Sequence, residues 1–152
     1  MSKALIATDG SDFALNAAAR AKTLLDPAVE FTLLTVVPPP VMPVSAPVTG
    51  IEAAPIATPE TTEELTEAYR EEAQESLERT ASALRGEVSR RVEYGDAATE
   101  ICRVAEQDGF DVIVVGSHGS GVVKRVLLGS VSQHLLHHAP CPVLVVRGDD
   151  HS

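Results

Sequence analysis

Residues 111–116 read DVIVVG, an unbroken apolar run held between an acid and a glycine. A strand wetted on one face alternates apolar with polar residues, whereas an unbroken run is what a strand covered on both faces requires. Strands of that kind belong to parallel sheets enclosed by helices. The question for the rest of the chain is whether helices and further strands alternate around this one.

They do, in both directions. Upstream, Gly109 closes a helix that Asp96 caps and that carries Ile101, Val104 and Ala105 on one side. Before it, Glu87 to Tyr94 reads as a strand, and Gly86 ends a long acidic helix opened by Pro59 with Thr58 as its cap. Leu65, Tyr69, Ala73, Leu77, Ala81 and Leu84 mark the buried stripe of that helix, and its many glutamates read as a solvated face. Residues 38–59 hold seven of the ten prolines, so a loop is expected there.

Further upstream, Glu30 to Val37 (EFTLLTVV) is a strand stopped by Pro38. The chain opens with a strand, Lys3 to Thr8 (KALIAT), and then a helix capped by Ser11, with Phe13, Ala14, Ala17, Ala18, Ala21, Leu24 and Leu25 at helical spacing. Downstream of the opening stretch, Ser130 to His138 reads as a helix and Pro142 to Arg147 (PVLVVR) as a fifth strand. This alternation predicts an α/β fold: an open five-stranded parallel sheet with helices on both faces, Rossmann-like, in a single domain over 1–148 with a polar tail at 149–152. In such sheets ligands settle beyond the carboxyl ends of the strands, where the strand order reverses. Asp9–Gly10 and Gly116–Gly119 are the segments that would meet there.

Composition narrows the function. Net charge is −10, from 22 acidic against 12 basic residues, a field that repels phosphate polymers and anionic lipid heads, so neither nucleic acid nor membrane is an expected partner. The stretch MSKALIATDG has no charged region followed by a long apolar one, and a cytoplasmic protein is expected. Cys102 and Cys141 lack the spacing of a redox or zinc pair and read as two reduced thiols.

The chemistry concentrates in GSHGSGVVKRVLLGSVSQ, residues 116–133. Glycines let backbone N–H groups approach a ligand, and a helix N-terminus adds unpaired donors at the positive end of its dipole, which together make an anion cradle. Ser130 and Ser132 offer hydroxyls, and Lys124 and Arg125 offer charge nearby. A Walker loop needs Lys after Gly121, where Val122 stands, and neither GxGxxG nor GxSxG can be written here. What fits is G-x-x-G-(x)9-G-S, with Gly116, Gly119, Gly129 and Ser130 in register.

With that pattern, and with TDGS after the first strand, TVV in the second and CPVLVV at the close, nearly the whole chain resembles the universal stress protein family. The resemblance implies an adenine nucleotide alpha hydrolase-like fold and bound ATP. It implies that Asp9 meets the ribose, Val36 the adenine, and Gly116, Gly119, Gly129 and Ser130 the phosphates, with Ala7, Val115, Val131 and Ser132 as neighbours. Mg²⁺ or Mn²⁺ is expected to bridge the phosphates. A homodimer through residues 142–147 is expected too, since an apolar edge strand with unpaired backbone groups invites its own copy and the similar family often dimerises this way.

Bland readings stand beside these. The glycines would serve equally for a tight turn, Ser130 for a helix cap, and Asp9 for an Asx turn with Ser11. Asp9, Ser117 and His118 have no spacing that makes them a hydrolytic triad, and no catalytic residue is assigned. His134, His137 and His138 read as imidazoles near a helix C-terminus, and no metal ligand is assigned in the protein. The expected role is a nucleotide-dependent stress-response or signalling module. The alternatives are a slow ATPase or phosphotransferase and a structural dimer module that binds no nucleotide.

Overall fold

The computed structural model describes residues 2–39, 59–117 and 129–147. Strands and helices alternate throughout: β1 (Lys3–Ala7), α1 (Asp12–Leu24), β2 (Glu30–Val37), α2 (Pro59–Leu84), β3 (Ser89–Tyr94), α3 (Ala97–Gln107), β4 (Val112–Gly116), α4 (Ser130–His138) and β5 (Val143–Val146). The strands form one sheet in the order β3-β2-β1-β4-β5, and every pairing is parallel. The α/β architecture read from the sequence is the one observed.

The strand order also fixes where the helices go. From β1 to β3 the chain steps outward in one direction, then returns across the sheet to β4 and steps the other way to β5. Right-handed crossovers place helices of opposite stepping directions on opposite faces. Accordingly Ala17, Ala18 and Ala21 of α1 and Leu77, Ala81 and Leu84 of α2 share one core with Ile6, Leu33 and Val114. Ile101, Val104 and Ala105 of α3 and Leu135 of α4 share the other with Leu5, Leu34, Ile113 and Val115. Adjacent residues of one strand thus feed different cores, which is why β1 and β4 had to be apolar without alternation. Each fully buried Leu, Ile or Val contributes about 1.5–3 kcal/mol of transfer free energy.

Helix ends follow local chemistry. Ser11 Oγ accepts the Ala14 N–H at 3.2 Å, and Asp96 Oδ2 accepts both the Thr99 N–H at 3.1 Å and the Thr99 hydroxyl at 2.9 Å. The Thr99 hydroxyl, then its N–H, hold the Asp96 carboxyl below the usual carboxylate range. Gly109 closes α3 at φ +67°. Past the end of α2 two successive residues have positive φ, Arg85 at 47° and the expected Gly86 at 146°. The Lys22 ammonium donates to the Leu84 and Arg85 carbonyls there and compensates that helix terminus.

Further departures are local, and β1 and β4 each lack one expected end residue, Thr8 and Asp111. Leu24 was expected in the buried stripe of α1 but is 58% exposed at its last position, where Leu25 turns inward instead. β3 begins at Ser89 rather than Glu87, and β5 is one residue shorter at each end than expected. The proline-rich segment lies outside the described residues apart from Pro38, Pro39 and Pro59, as does the proposed cap Thr58.

Candidate functional site

The strand order reverses between β1 and β4, which are parallel neighbours in register Ala4↔Val112, Leu5↔Ile113 and Ile6↔Val114. The turn after β1, Thr8–Gly10, and the end of β4, Gly116–Ser117, therefore emerge side by side at the carboxyl edge of the sheet. This is the place where an open α/β sheet parts and leaves a crevice.

One wall is apolar. Val115 belongs to the core under α3 and α4, and Ala7, Val36 and Val131 pack against that same core while remaining half-buried. Val36, expected at the adenine, and its expected neighbours Ala7, Val115 and Val131 thus lie on the same side of the sheet, where Ala7, Val36 and Val131 leave apolar surface partly exposed and Val115 is buried beneath them.

The second wall is the start of α4. Gly129 donates its N–H to the Ser117 carbonyl at 2.7 Å, and Ser132 Oγ donates to the Gly116 carbonyl at 3.2 Å. These bonds pin the first turn of α4 against the end of β4 and bring Gly116, Gly129, Ser130 and Ser132 together. Ser132 is buried and Ser130 exposed. Side chains cap α1 and α3, but Gly129 supplies none to α4. The first-turn amides of a helix have no intrahelical acceptor, so α4 presents donors and a positive dipole end together. Gly129 itself, at φ −63°, has ordinary backbone geometry. Gly119, Lys124, Arg125 and His118 lie outside the described residues.

The turn carrying Asp9 is held by hydroxyls that sequence reasoning missed. Thr8, Thr35, Ser76 and Thr80 are all buried. Thr35 Oγ1 donates to the Thr8 carbonyl at 2.7 Å, and Ser76 Oγ lies 3.2 Å from the Asp9 carbonyl and 2.9 Å from that of Glu72. Thr8 Oγ1 and Thr80 Oγ1 are 2.8 Å apart. The signal was present in the spacing: Ser76 and Thr80 stand at i, i+4 within the apolar stripe of Ala73, Leu77 and Ala81, where a polar residue needs a partner. Asp9 itself is exposed, and its Oδ1 accepts the Ser11 N–H at 2.9 Å, so the Asx turn forms.

Other candidates fare differently. Ser117 is only 3% exposed, which leaves it poorly presented as a nucleophile. The rings of His134 and His138 lie 4.6 Å apart on exposed positions of α4. Among the described residues no group of three or more His, Cys, Asp or Glu could hold a metal ion. Burial pushes the Cys102 and Cys141 thiols up, away from the reactive thiolate. No helix among the described residues is long and apolar enough to cross a membrane.

Known proteins with this arrangement agree with one another. The model of the universal stress protein family matches residues 1–147. A universal stress protein of Methanocaldococcus jannaschii is 36% identical over 148 residues, covering 95% of this chain and 81% of that protein. Two other archaeal universal stress proteins match over shorter stretches, so that the chain spans 36% and 49% of their lengths. Among solved structures, the protein MJ0577 superposes with a TM-score of 0.78 at 29% identity, over 98% of this chain and 97% of that one. A universal stress protein family member from Arabidopsis thaliana, solved with AMP bound, superposes with a TM-score of 0.65 at 18% identity, over 99% and 94%.

Proposed function

Because the chain belongs to the universal stress protein family, we propose that it binds an adenine nucleotide, ATP with Mg²⁺ or Mn²⁺, in the crevice between the ends of β1 and β4. The observation that carries this reading is the convergence there of three different surfaces: the half-buried apolar residues Ala7, Val36 and Val131 over Val115, the clamped turn of Asp9, and the start of α4, without a side-chain cap, beside Gly116. A purine, a sugar and a phosphate chain need an apolar, a hydrogen-bonding and a donor-rich surface, in that order along the ligand. AMP bound to the Arabidopsis thaliana protein of the same fold supports an adenosine ligand.

In this reading Val36 lies against adenine, Asp9 accepts hydrogen bonds from the ribose hydroxyls, and Gly116, Gly119, Gly129 and Ser130 surround the phosphates. The divalent ion is held by phosphate oxygens and relieves their repulsion from an acidic chain. Occupancy then sets the conformation or partner choice of a cytoplasmic stress-response module, with turnover slow or absent.

Isothermal calorimetry with ATP and Mg²⁺ tests it. Gly129 has a backbone conformation open to any residue, so Gly119→Val with Gly129→Val fills ligand space at Gly129 without backbone strain there. The double variant is expected to lose measurable binding, and excess EDTA to weaken binding to the unaltered protein. Undiminished ATP affinity in the double variant overturns the assignment.

A further inference from the structure

Thr80 has one hydroxyl proton, and its Oγ1 donates to the Ser76 carbonyl at 2.7 Å. The 2.8 Å contact between Thr80 and Thr8 therefore has Thr8 as donor and Thr80 as acceptor. Thr8 Oγ1 in turn accepts the Gly10 N–H at 3.1 Å. Every proton in the chain is thereby directed one way, from Gly10 N–H to Thr8, from Thr8 to Thr80, and from Thr80 into the backbone of α2.

Asp9 sits between the two anchored residues, and Ser76 Oγ reaches its carbonyl as well. Thr8 before it is hydrogen-bonded to α2, Gly10 after it is bonded to Thr8, and its own carbonyl shares the single Ser76 hydroxyl proton with the Glu72 carbonyl, at 3.2 Å against 2.9 Å, while its side chain stays exposed. Helix packing alone does not account for this. A buried Ser or Thr on a helix satisfies itself through its own i−4 carbonyl, as both Ser76 and Thr80 do. The contacts to Thr8 and Asp9 are additional to that need. Gly10 fits the same design, since a Cβ there would stand 2.6 Å from Ser76 Oγ and 3.0 Å from Ser76 Cα, so only glycine lets the turn lie this close to the helix.

We infer that Thr80 and Ser76 of α2 are positioning residues, which set where the Asp9 carboxylate stands in the crevice without touching the ligand. The inference rests on the proposed role of Asp9 toward the ribose. It gives α2 a direct connection to the sugar end of the site, so that filling the crevice and seating α2 become coupled.

The test compares ATP with 2′,3′-dideoxy-ATP, which lacks both ribose hydroxyls, by calorimetry on the full chain. The unaltered protein is expected to prefer ATP by about tenfold, the value of one good hydrogen bond to a charged group. In Thr80→Val the preference falls to within about threefold, mainly because ATP weakens while the dideoxy analogue changes little. Thr80→Ser, which restores the hydroxyl, restores the preference. Ser76→Ala, a small change, is expected to reduce the preference in the same way and serves should Thr80→Val fail to fold. Equal weakening of both nucleotides, or an undiminished preference in the folded variants, overturns the positioning role and leaves the proposed function standing. An unaltered protein that binds neither nucleotide overturns the proposed function and this inference with it, and one that binds both equally overturns the ribose role of Asp9 and the positioning that depends on it.

Discussion

Gly10 adopts φ +78°, a region in which any Cβ is strained, and the space a methyl would need is filled by Ser76. Gly10→Ala is expected to destabilise the protein by about 2–5 kcal/mol, combining about 1–2 for the left-handed backbone with about 1–3 for overpacking against α2. Chemical denaturation measures it, and a loss under about 1 kcal/mol would mean the turn moves away from α2 at little cost. The residues around Gly10 also mark where sequence reading stopped. Asp9, Gly116, Gly129 and Ser130 stood out as candidates because their spacing matches the family pattern, although each has an equally ordinary use in a turn or cap. Thr8, Thr35, Ser76 and Thr80 did not, because a hydroxyl is equally at home on a surface, and only the assembled sheet shows that these face one another. Arg85 was missed for a related reason: the Lys22 ammonium on the last carbonyls of α2 provides compensation that no local pattern around residue 85 reveals.

Among the elements, the strands were the most legible. The doubly covered runs of β1, β2 and β4 admit one interpretation, whereas β3 carries Arg90, Arg91 and Glu93 and was recognisable mainly from the glycines around it. Its charges are used: Glu93 pairs with Arg91 at 2.6 Å and with Arg103 of α3 at 3.0 Å, which fastens one edge strand to the helix layer. β5, the opposite edge strand, is built otherwise. It pairs on one side with β4, from Ile113↔Val143 to Gly116↔Val146, and Val143, Leu144 and Val145 are only half-buried. Among the described residues its other side has no paired strand, and an apolar edge of that kind invites a second copy, which we propose lies antiparallel about a two-fold axis. Sedimentation equilibrium at micromolar concentration is expected to give twice the 16.0 kDa chain mass, and Leu144→Asp with Val145→Pro to halve it. A monomeric parent, or a dimer indifferent to both substitutions, contradicts this pairing.

For the molecule as a whole, charge is the dominant long-range term. Glu63, Glu67, Glu71 and Glu75 follow one another at i, i+4 along the exposed face of α2, so like charges adjoin on successive turns in a chain of net charge −10. Raising salt from about 0.01 M to about 0.15 M shortens the screening length from about 30 to about 8 Å, comparable with the spacing along that face. The midpoint of thermal unfolding is therefore expected to rise by a few degrees over that range, and a flat or falling midpoint would show that the ion pairs of β3 and α3, weakened by the same screening, outweigh the repulsion. The sheet order carries one more consequence, for the moment of synthesis. β1 is central, and its outer neighbour β4 arrives late: Lys3 N donates to Asp111 Oδ2 at 2.7 Å across 108 positions of sequence. A nascent chain that has emerged from the ribosome only as far as α3 already holds Asp9, Ala7, Val36 and the hydroxyls of α2, yet the first strand still has a bare edge, and Val115, Gly116 and the start of α4 do not yet exist. Long-range parallel pairing of this kind closes slowly and leaves apolar edges exposed meanwhile. The crevice is thus among the last parts to form, and a ligand that enters it stabilises only chains whose synthesis has passed the end of β4 and the start of α4.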